Sequence, residues 1–503
     1  MLDAPKKKRS LATLGPQRSP IERIESELKL LDESRAIDLV SARAVDRALK
    51  TTISLCPTCL AYVPALVFER AGRVIIAKRC ADHGTSEALL ENNARFYALS
   101  NKDRSGRRFA DDRVFHIPAF SSGGGAGACC GPGESCGDGT DQLTNRTCTV
   151  LVEVTDACNL SCRVCYSESA GDRFLPFDAF TKHVRALIEK KGMLDSVQVT
   201  GGEASLHPRF HDIIAFLHGE PGVRKIYLPT NGLTLRTASE RERLAPFADK
   251  LMVLLQFDAL SREANRTIRR AEPIDLRRAI IAELDRLGIP MQLTMTLAHG
   301  VNDDEVGDVV DVALAHPMVK LVAMQPATWS GRYELDFDPM ERLTLSDCIA
   351  AVLSRARLRV RAEDFVPIPC SHPNCGWLTV FLRRFGAVHN VVKYVDLDKA
   401  MNDVAYKTML STDEIREVVG TDDRSVLSKV AGFIGGRLVK STDMFSIAIK
   451  PFMDRYSYDQ DRIANCCHHI TDTRGGLHSF CEYNAVGRRG DPWTALPTLD
   501  GAR

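Results

Sequence analysis

The chain has 503 residues, of which 44% are hydrophobic, with 66 basic side chains against 65 acidic and a net charge of +1. That much apolar surface offsets chain entropy and excludes disorder as the main state, while the balanced charge argues against a dedicated nucleic-acid binder. The length predicts about three domains, and no apolar run approaches the ~18 residues of a membrane-spanning helix.

The sequence MLDAPKKKRSLATLG opens with a basic cluster, Lys6 to Arg9, and no apolar core follows it. It predicts a solvated tail on a cytoplasmic chain rather than a secretory signal. Residues 20–50 alternate charged and apolar side chains at helical spacing, so residues 1–50 are expected as a helical segment of one or two amphipathic helices. Residues 51–120 are expected as a small metal-binding domain of short strands, LVFER and VIIAKRC, turned at AGR. CPTC supplies Cys56 and Cys59, and KRCADHG supplies Cys80. Such a knuckle holds one iron in a rubredoxin-like site or one zinc in a ribbon. His83, in the turn before Gly84, is expected to be hydrogen-bonded rather than a ligand.

Residues 121–147 form a Cys/Gly-rich linker, SSGGGAGACCGPGESCGDGTD, with Cys129, Cys130 and Cys136. With Cys148 these are candidate ligands of an auxiliary cluster. From 148 to 345 apolar strands and helices take turns. TVLVEVT, DSVQVTGGE, KIYLPTNG, LMVLLQFDA, PMQLTMTLA and VKLVAMQPA read as strands. FDAFTKHVRALIEKKG, PRFHDIIAFLHG, ASERERLAPFA, IDLRRAIIAELDRLG and DDEVGDVVDVALAH read as the helices between them. Such alternation predicts an α/β fold with a parallel sheet and right-handed crossovers, here an open, partial (β/α)6 barrel. Ligands of such sheets bind at the carboxyl ends of the strands.

Residues 346–503 are expected as an α+β domain with an auxiliary iron–sulfur site. Cys348, in the helical LTLSDCIAAVLSRAR, is expected as a buried small hydrophobe. Cys370 and Cys375 in PCSHPNC, Cys466 in NCCHH and Cys481 in FCEYN are candidate ligands, with Cys467 an alternative to Cys466. His372, His468 and His469 are expected to be structural or to support the ligands. The apolar segment SVLSKVAGFIGGRLVKSTDMFSIAIKPFMD is expected to pack as core, with a hydrophobic channel or membrane contact as its second reading. Setting Cys348 aside leaves 15 of the 16 cysteines, the number that one trio and three four-thiol sites would use.

The central feature is CNLSCRVC directly after the strand LVEVT. It gives Cys158, Cys162 and Cys165 the spacing C-x3-C-x2-C. Three thiolates on one loop can hold three corners of a 4Fe–4S cubane and leave one iron open, the arrangement of a reactive rather than a closed metal site. A structural zinc completed by a distant ligand is the competing reading of the spacing alone.

These cysteines resemble the cluster motif of the radical S-adenosylmethionine (SAM) superfamily, and TGGEA one helix later resembles its glycine–glycine–glutamate motif. The resemblance implies that Gly201, Gly202 and Glu203 hold the amino group of SAM. It also implies, at the ends of the next strands, that Thr230, Asn231, Gln256 and Asp258 contact its ribose or carboxylate. Val164 departs from the aromatic residue that many members place before the third cysteine, and Tyr166 follows it instead. The implied chemistry is reductive cleavage of SAM to a 5′-deoxyadenosyl radical that removes hydrogen from an unactivated carbon. It requires a reduced donor such as a flavodoxin or ferredoxin.

The knuckle with KRCADHG, EVTDACNLSCRVCY, GVNDDEVGDVV, MQPATWSGR, PCSHPNC and FCEYN together resemble the family of the archaeal tetraether lipid synthase, from about 50 to 485. Relatives in that family were once described as pterin methyltransferases. In the cysteine patch CCGPGESC departs from the family's usual spacing. This resemblance implies a lipid chain as substrate, coupled carbon to carbon, with peripheral contact to the inner face of a membrane. Radical modification of a pterin or other small metabolite is the alternative. A zinc-stabilised binding scaffold without catalysis is the alternative of a different class.

Overall fold

The computed structural model describes residues 19–97, 147–336, 338–368, 371–384, 386–392 and 443–499. Cys129, Cys130, Cys136 and Cys370 lie outside these residues, as does the greater part of the apolar segment before Met444.

Two short helices, Pro20–Leu28 and Glu33–Val40, open the described chain. Ser19 and Glu22 cap the first with reciprocal side-chain bonds, and Asp32 caps the second. The helical pattern expected up to residue 50 breaks earlier, because Arg47–Leu55 is already strand β1. Its run of β-branched residues packs better on a pleated surface than on a helix. With β2 (Tyr62–Arg70), β3 (Arg73–Cys80) and β4 (Gly84–Glu91) it makes a four-stranded antiparallel sheet in sequential order. Sequence reading had located only β2 and β3 there.

All six expected strands of the central unit are present. They are β5 (Thr149–Thr155), then, after a two-residue strand β6 (Val164–Cys165), β7 (Ser196–Gly201), β8 (Ile226–Thr230), β9 (Leu251–Gln256), β10 (Met291–Leu297) and β11 (Val319–Pro326). These six pair in parallel in the order β5-β7-β8-β9-β10-β11. The chain continues through β12 (Arg332–Tyr333), β13 (Val366–Pro367), β14 (Trp377–Arg384), β15 (Ala387–Asn390), β16 (Met444–Ile449), β17 (His468–Thr471) and β18 (Leu477–Ser479).

Residues beyond 345 extend both edges of this sheet. β16 adds in parallel to β11, with β14 antiparallel beyond it. β17 adds in parallel to β5, with β18 antiparallel beyond it. The part of the apolar segment that is described, MFSIAI, is therefore core strand β16, with Phe445, Ile447 and Ile449 fully buried. Cys348 is buried within the helix Leu345–Arg355, as its surroundings in sequence predict.

The helix Phe177–Lys191 packs Phe180, Val184 and Leu187 into the core at one-turn spacing, with Lys190 and Lys191 in its last turn, where cations suit the helix dipole. Helices Phe210–Gly219, Ile274–Arg286 and Val306–Ala315 cover the sheet likewise. The helix Arg262–Arg269 was not expected, since it buries Arg269 and shows no apolar stripe. Phe180 is fully buried in the main core cluster. Phe180→Ala is expected to lower stability by about 3–5 kcal/mol. A denaturant titration followed by circular dichroism should register this as an earlier transition, and an unchanged midpoint would contradict the packing described.

Candidate active site and metal centres

The carboxyl ends of β5 and β7 meet almost backbone to backbone. At Gly201, with φ of +141°, a Cβ would lie 2.1 Å from the carbonyl oxygen of Thr155. At Gly202 it would lie 2.1 Å from the carbonyl oxygen of Ala157 and 3.1 Å from Cβ of Cys158. No side chain fits either position, so both glycines are sterically required. The amide of Gly202 donates to the Thr155 carbonyl and that of Glu203 to the Ala157 carbonyl, each at 2.8 Å. The turn after β7 is thus locked onto the start of the cysteine loop.

Glu203, buried to 2% exposure, lies directly behind that loop. Its Oε1 accepts from the Ser205 hydroxyl (2.6 Å) and the Thr230 hydroxyl (2.9 Å), and its Oε2 from the Asn231 amide (2.9 Å). Burial pushes the carboxyl above its usual range, against these donors. A cation beside it would restore the charged form, which suits a carboxylate meant for an ammonium group. Asn231 also donates from its side chain to Oδ1 of Asn159, at 2.7 Å, inside the cysteine loop. Thr230 and Asn231 therefore join the same site as the glycines and Glu203.

Asp258 has a different role from the one expected. Its carboxylate accepts from Nε and Nη2 of Arg269, both at 2.8 Å, from the Thr296 amide at 3.0 Å and from Gln256 at 2.7 Å. Burial would push it up, but Arg269 outweighs burial and holds it below the usual carboxylate range. Both of its oxygens are engaged by the protein, and Gln256 donates to it, so the pair supports Arg269 rather than offering a carboxylate to a ligand.

Cys158, Cys162 and Cys165 are all partly exposed, and no disulfide involves them. Burial raises the Cys158 thiol to about 11, with the charge of Glu203 adding to it. Their loop is clamped by Arg332, which donates to the carbonyls of Cys162 and Ser169, each at 3.1 Å, and by Arg269, which donates to the Val164 carbonyl at 3.3 Å. Arg277, fully buried, donates to the Asn231 carbonyl at 3.1 Å, and its Nη2 has no hydrogen-bond partner among the described residues. Sequence reading missed all three arginines. A buried arginine in RTIRRAEPIDLRR is indistinguishable from a solvated one, because its partners are supplied by distant strands.

The donor set fits a 4Fe–4S cluster with SAM: three thiols on one rigid loop, a cradle that only glycine backbone can form, and a buried carboxylate beside it. Val164 is buried with Ile268, Ala298 and Ala327. Tyr166 packs against Phe452 (ring centroids 5.2 Å) and Phe480 (5.6 Å), toward the carboxy-terminal cysteines.

Two further groups lie outside this centre. Cys56, Cys59, Cys80 and His83 place their ligand atoms within 4.8 Å of one another. His83 Nδ1 is 3.5 Å from Cys80 Sγ and 3.7 Å from Cys56 Sγ. The expectation that His83 is merely hydrogen-bonded is corrected: the turn between β3 and β4 swings it onto the thiols. A three-cysteine, one-histidine set is a zinc arrangement, so among the described residues this group has a histidine in the fourth place rather than a fourth thiol.

The carboxy-terminal group holds Cys375, Cys466 and Cys481, each partly exposed and none in a disulfide. Burial first, and the neighbouring thiols second, push Cys466 to about 11 and Cys481 to about 12. Arg462 donates to Cys375 Sγ at 3.3 Å. Cys467 packs with Cys148, whose amide donates to the Cys467 carbonyl at 2.9 Å. His372 bonds within its own turn and approaches Asp461, and His468 packs among Phe452 and Phe480. His469 meets the Thr147 hydroxyl at 2.9 Å.

Residues 152–313 match the family model of the Radical SAM superfamily, and residues 48–92 match that of the HMPTM N-terminal zinc ribbon domain. The chain is similar to the 7,8-dihydro-6-hydroxymethylpterin dimethyltransferase of Methanocaldococcus jannaschii, with 24% identity over 88% of this chain and 94% of that protein. It is also similar to the GTP 3′,8-cyclase of Stenotrophomonas maltophilia, with 32% identity over 35% of this chain and 55% of the cyclase. Among solved structures, SuiB of Streptococcus suis bound to S-adenosylmethionine aligns with a TM-score of 0.35 and 12% identity, covering 62% of this chain and 69% of that one.

Glu203→Gln keeps the size of the side chain and removes its charge. It is expected to weaken SAM binding by about 1.5–3 kcal/mol, the worth of a charged hydrogen bond, with iron content unchanged. Anaerobic calorimetric titration with SAM measures this, and an unchanged Kd would remove Glu203 from the SAM site.

Proposed function

The chain belongs to the radical SAM superfamily, and from that premise we propose that it removes hydrogen from an unactivated carbon of a lipid chain, joining chains carbon to carbon. The observation that carries the radical reading is the docking of the cysteine loop onto the Gly201–Gly202–Glu203 turn. When bound, the cluster and SAM supply an electron-driven cleavage whose product takes hydrogen from a substrate carbon.

The work of the chain itself is binding and orientation. Cys158, Cys162 and Cys165 would hold three irons. Glu203, with Thr230 and Ser205 fixing its oxygens, would orient the amino group of SAM. The Asn231 side chain ties the ribose-side turn to the cysteine loop, so the two halves of the site stay in register. Arg269, braced by Asp258, and Arg332 hold the loop backbone from the opposite side. A reduced electron donor such as a flavodoxin or ferredoxin completes the requirement.

The lipid reading rests on the motifs that resemble the tetraether lipid synthase family from about 50 to 485. No helix among the described residues is long and apolar enough to cross a membrane; the same resemblance is what suggests lipid contact at a membrane face. A second reading, methylation of a reduced pterin, is favoured by the end-to-end similarity to the dimethyltransferase of Methanocaldococcus jannaschii. The non-catalytic zinc scaffold gives way to superfamily membership.

Cys162→Ala is expected to abolish formation of 5′-deoxyadenosine from SAM under reducing, anaerobic conditions while iron and zinc remain at the other centres. Undiminished cleavage would overturn the assignment of the trio. With the intact protein, perdeuterated dialkyl lipid and deuterated reduced pterin are offered separately. Deuterium appearing in 5′-deoxyadenosine with the lipid alone supports the first reading, and its appearance with the pterin alone supports the second.

A further inference from the structure

One face of the ribbon sheet is polar and yet buried. Lys50, Thr52 and Ser54 alternate along β1 and so point to the same side, with exposures of 8%, 1% and 0%. Lys78 of β3 lies in the same cross-strand row as Thr52, since both are registered on Ala65 of β2, and it is 1% exposed. A buried polar face costs stability unless every group is met. Here each group is met by one carboxy-terminal segment.

Lys50 Nζ lies 2.8 Å from Asp459 and 2.9 Å from Asp461. The Thr52 hydroxyl donates to Asp459 at 2.7 Å, and the Ser54 hydroxyl to the Tyr458 carbonyl at 2.6 Å. Lys78 donates to the carbonyls of Arg455, at 3.1 Å, and Tyr456. At the end of the sheet the Tyr62 hydroxyl donates to Glu482 at 2.8 Å.

This segment leads directly to the carboxy-terminal cysteines. Asp459 caps the helix Gln460–Ala464, which carries Arg462 against Cys375 Sγ and ends just before Cys466. Glu482 adjoins Cys481. Asp461, held by Lys50, also approaches Nε2 of His372 at 3.6 Å, between Cys370 and Cys375 in sequence. On the ribbon side, Cys56 and Cys80 follow closely on Ser54 and Lys78, so the four-ligand knuckle fixes the ends of the strands that carry the latch.

We propose that the zinc ribbon is the frame on which the carboxy-terminal cysteine site is assembled, with Lys50 as its main positioning residue. The proposal rests on the reading that Cys375, Cys466 and Cys481 hold a cluster. Buried ion pairs contribute little net stability against an apolar replacement, but removing one partner strands the other's charge and spoils register. Two carboxylates left without Lys50 would draw the segment toward water and move Cys466 away from Cys375. Burial alone would lower the Lys50 ammonium, yet Asp459 and Asp461 outweigh it and keep it charged.

The test uses the full chain purified anaerobically, with iron, acid-labile sulfide and zinc measured per chain. Lys50→Met is expected to lose as much iron and sulfide as Cys466→Ala, about four of each for one cubane, while zinc and the SAM-responsive cluster remain. Lys50→Arg is expected to retain them. Full iron in Lys50→Met beside a loss in Cys466→Ala overturns the framing role alone. Full iron in Cys466→Ala overturns the reading beneath it, and the proposal with it. If Lys50→Met loses zinc and all iron together, Thr52→Val decides: several-fold faster release of carboxy-terminal iron to a chelator supports the frame, and an unchanged rate overturns it.

Discussion

The approach of two strand ends governs this molecule. The carbonyls of Thr155 and Ala157 occupy the space where side chains at 201 and 202 would begin, so backbone touches backbone between β5 and β7. That contact sets the distance between the cysteine loop, which leaves β5, and Glu203, which follows β7. Thiols that would hold a cluster and a carboxylate beside them can act on one ligand only at a fixed separation, and no pair of side chains could fix it as rigidly as two backbone hydrogen bonds.

Around this contact the charges are arranged in nested pairs. Asp258 braces Arg269, which holds the loop at Val164, and Arg488 forms a bidentate pair with Glu153 on β5, behind the loop. The first pair is buried and the second partly so, and such pairs are weak as a source of stability and strong as a specifier of geometry. The carboxy-terminal strands then close the arrangement. By adding to both edges of the parallel sheet, they bring Phe480, the neighbour of Cys481, against Tyr166, the residue that follows the third cysteine of the trio.

The central unit was legible in the sequence because its signals are local. Six apolar runs bounded by helices could only be parallel strands, and CNLSCRVC and TGGEA declared themselves by spacing. What escaped depends on partners far along the chain. β1 was hidden inside a stretch whose charges mimic a helix, since Lys50 is a solvated residue in sequence and an inward one in the fold. His83 joins Cys56 and Cys59 only because the sheet order β1-β2-β3-β4 brings the turn after β3 to the same end as the turn after β1. Asp258 sits at a strand end, as a ligand contact would, yet Arg269 from an unanticipated helix takes both its oxygens.

The central claim is that the cysteine trio and the Glu203 cradle form a single site. Electron paramagnetic resonance of the reduced, anaerobic protein before and after SAM tests it most directly. SAM is expected to shift the spectrum of the cluster that Cys158, Cys162 and Cys165 would hold, and Cys162→Ala is expected to lack the responsive signal. A reduced cluster signal from the trio that SAM leaves unchanged would contradict it.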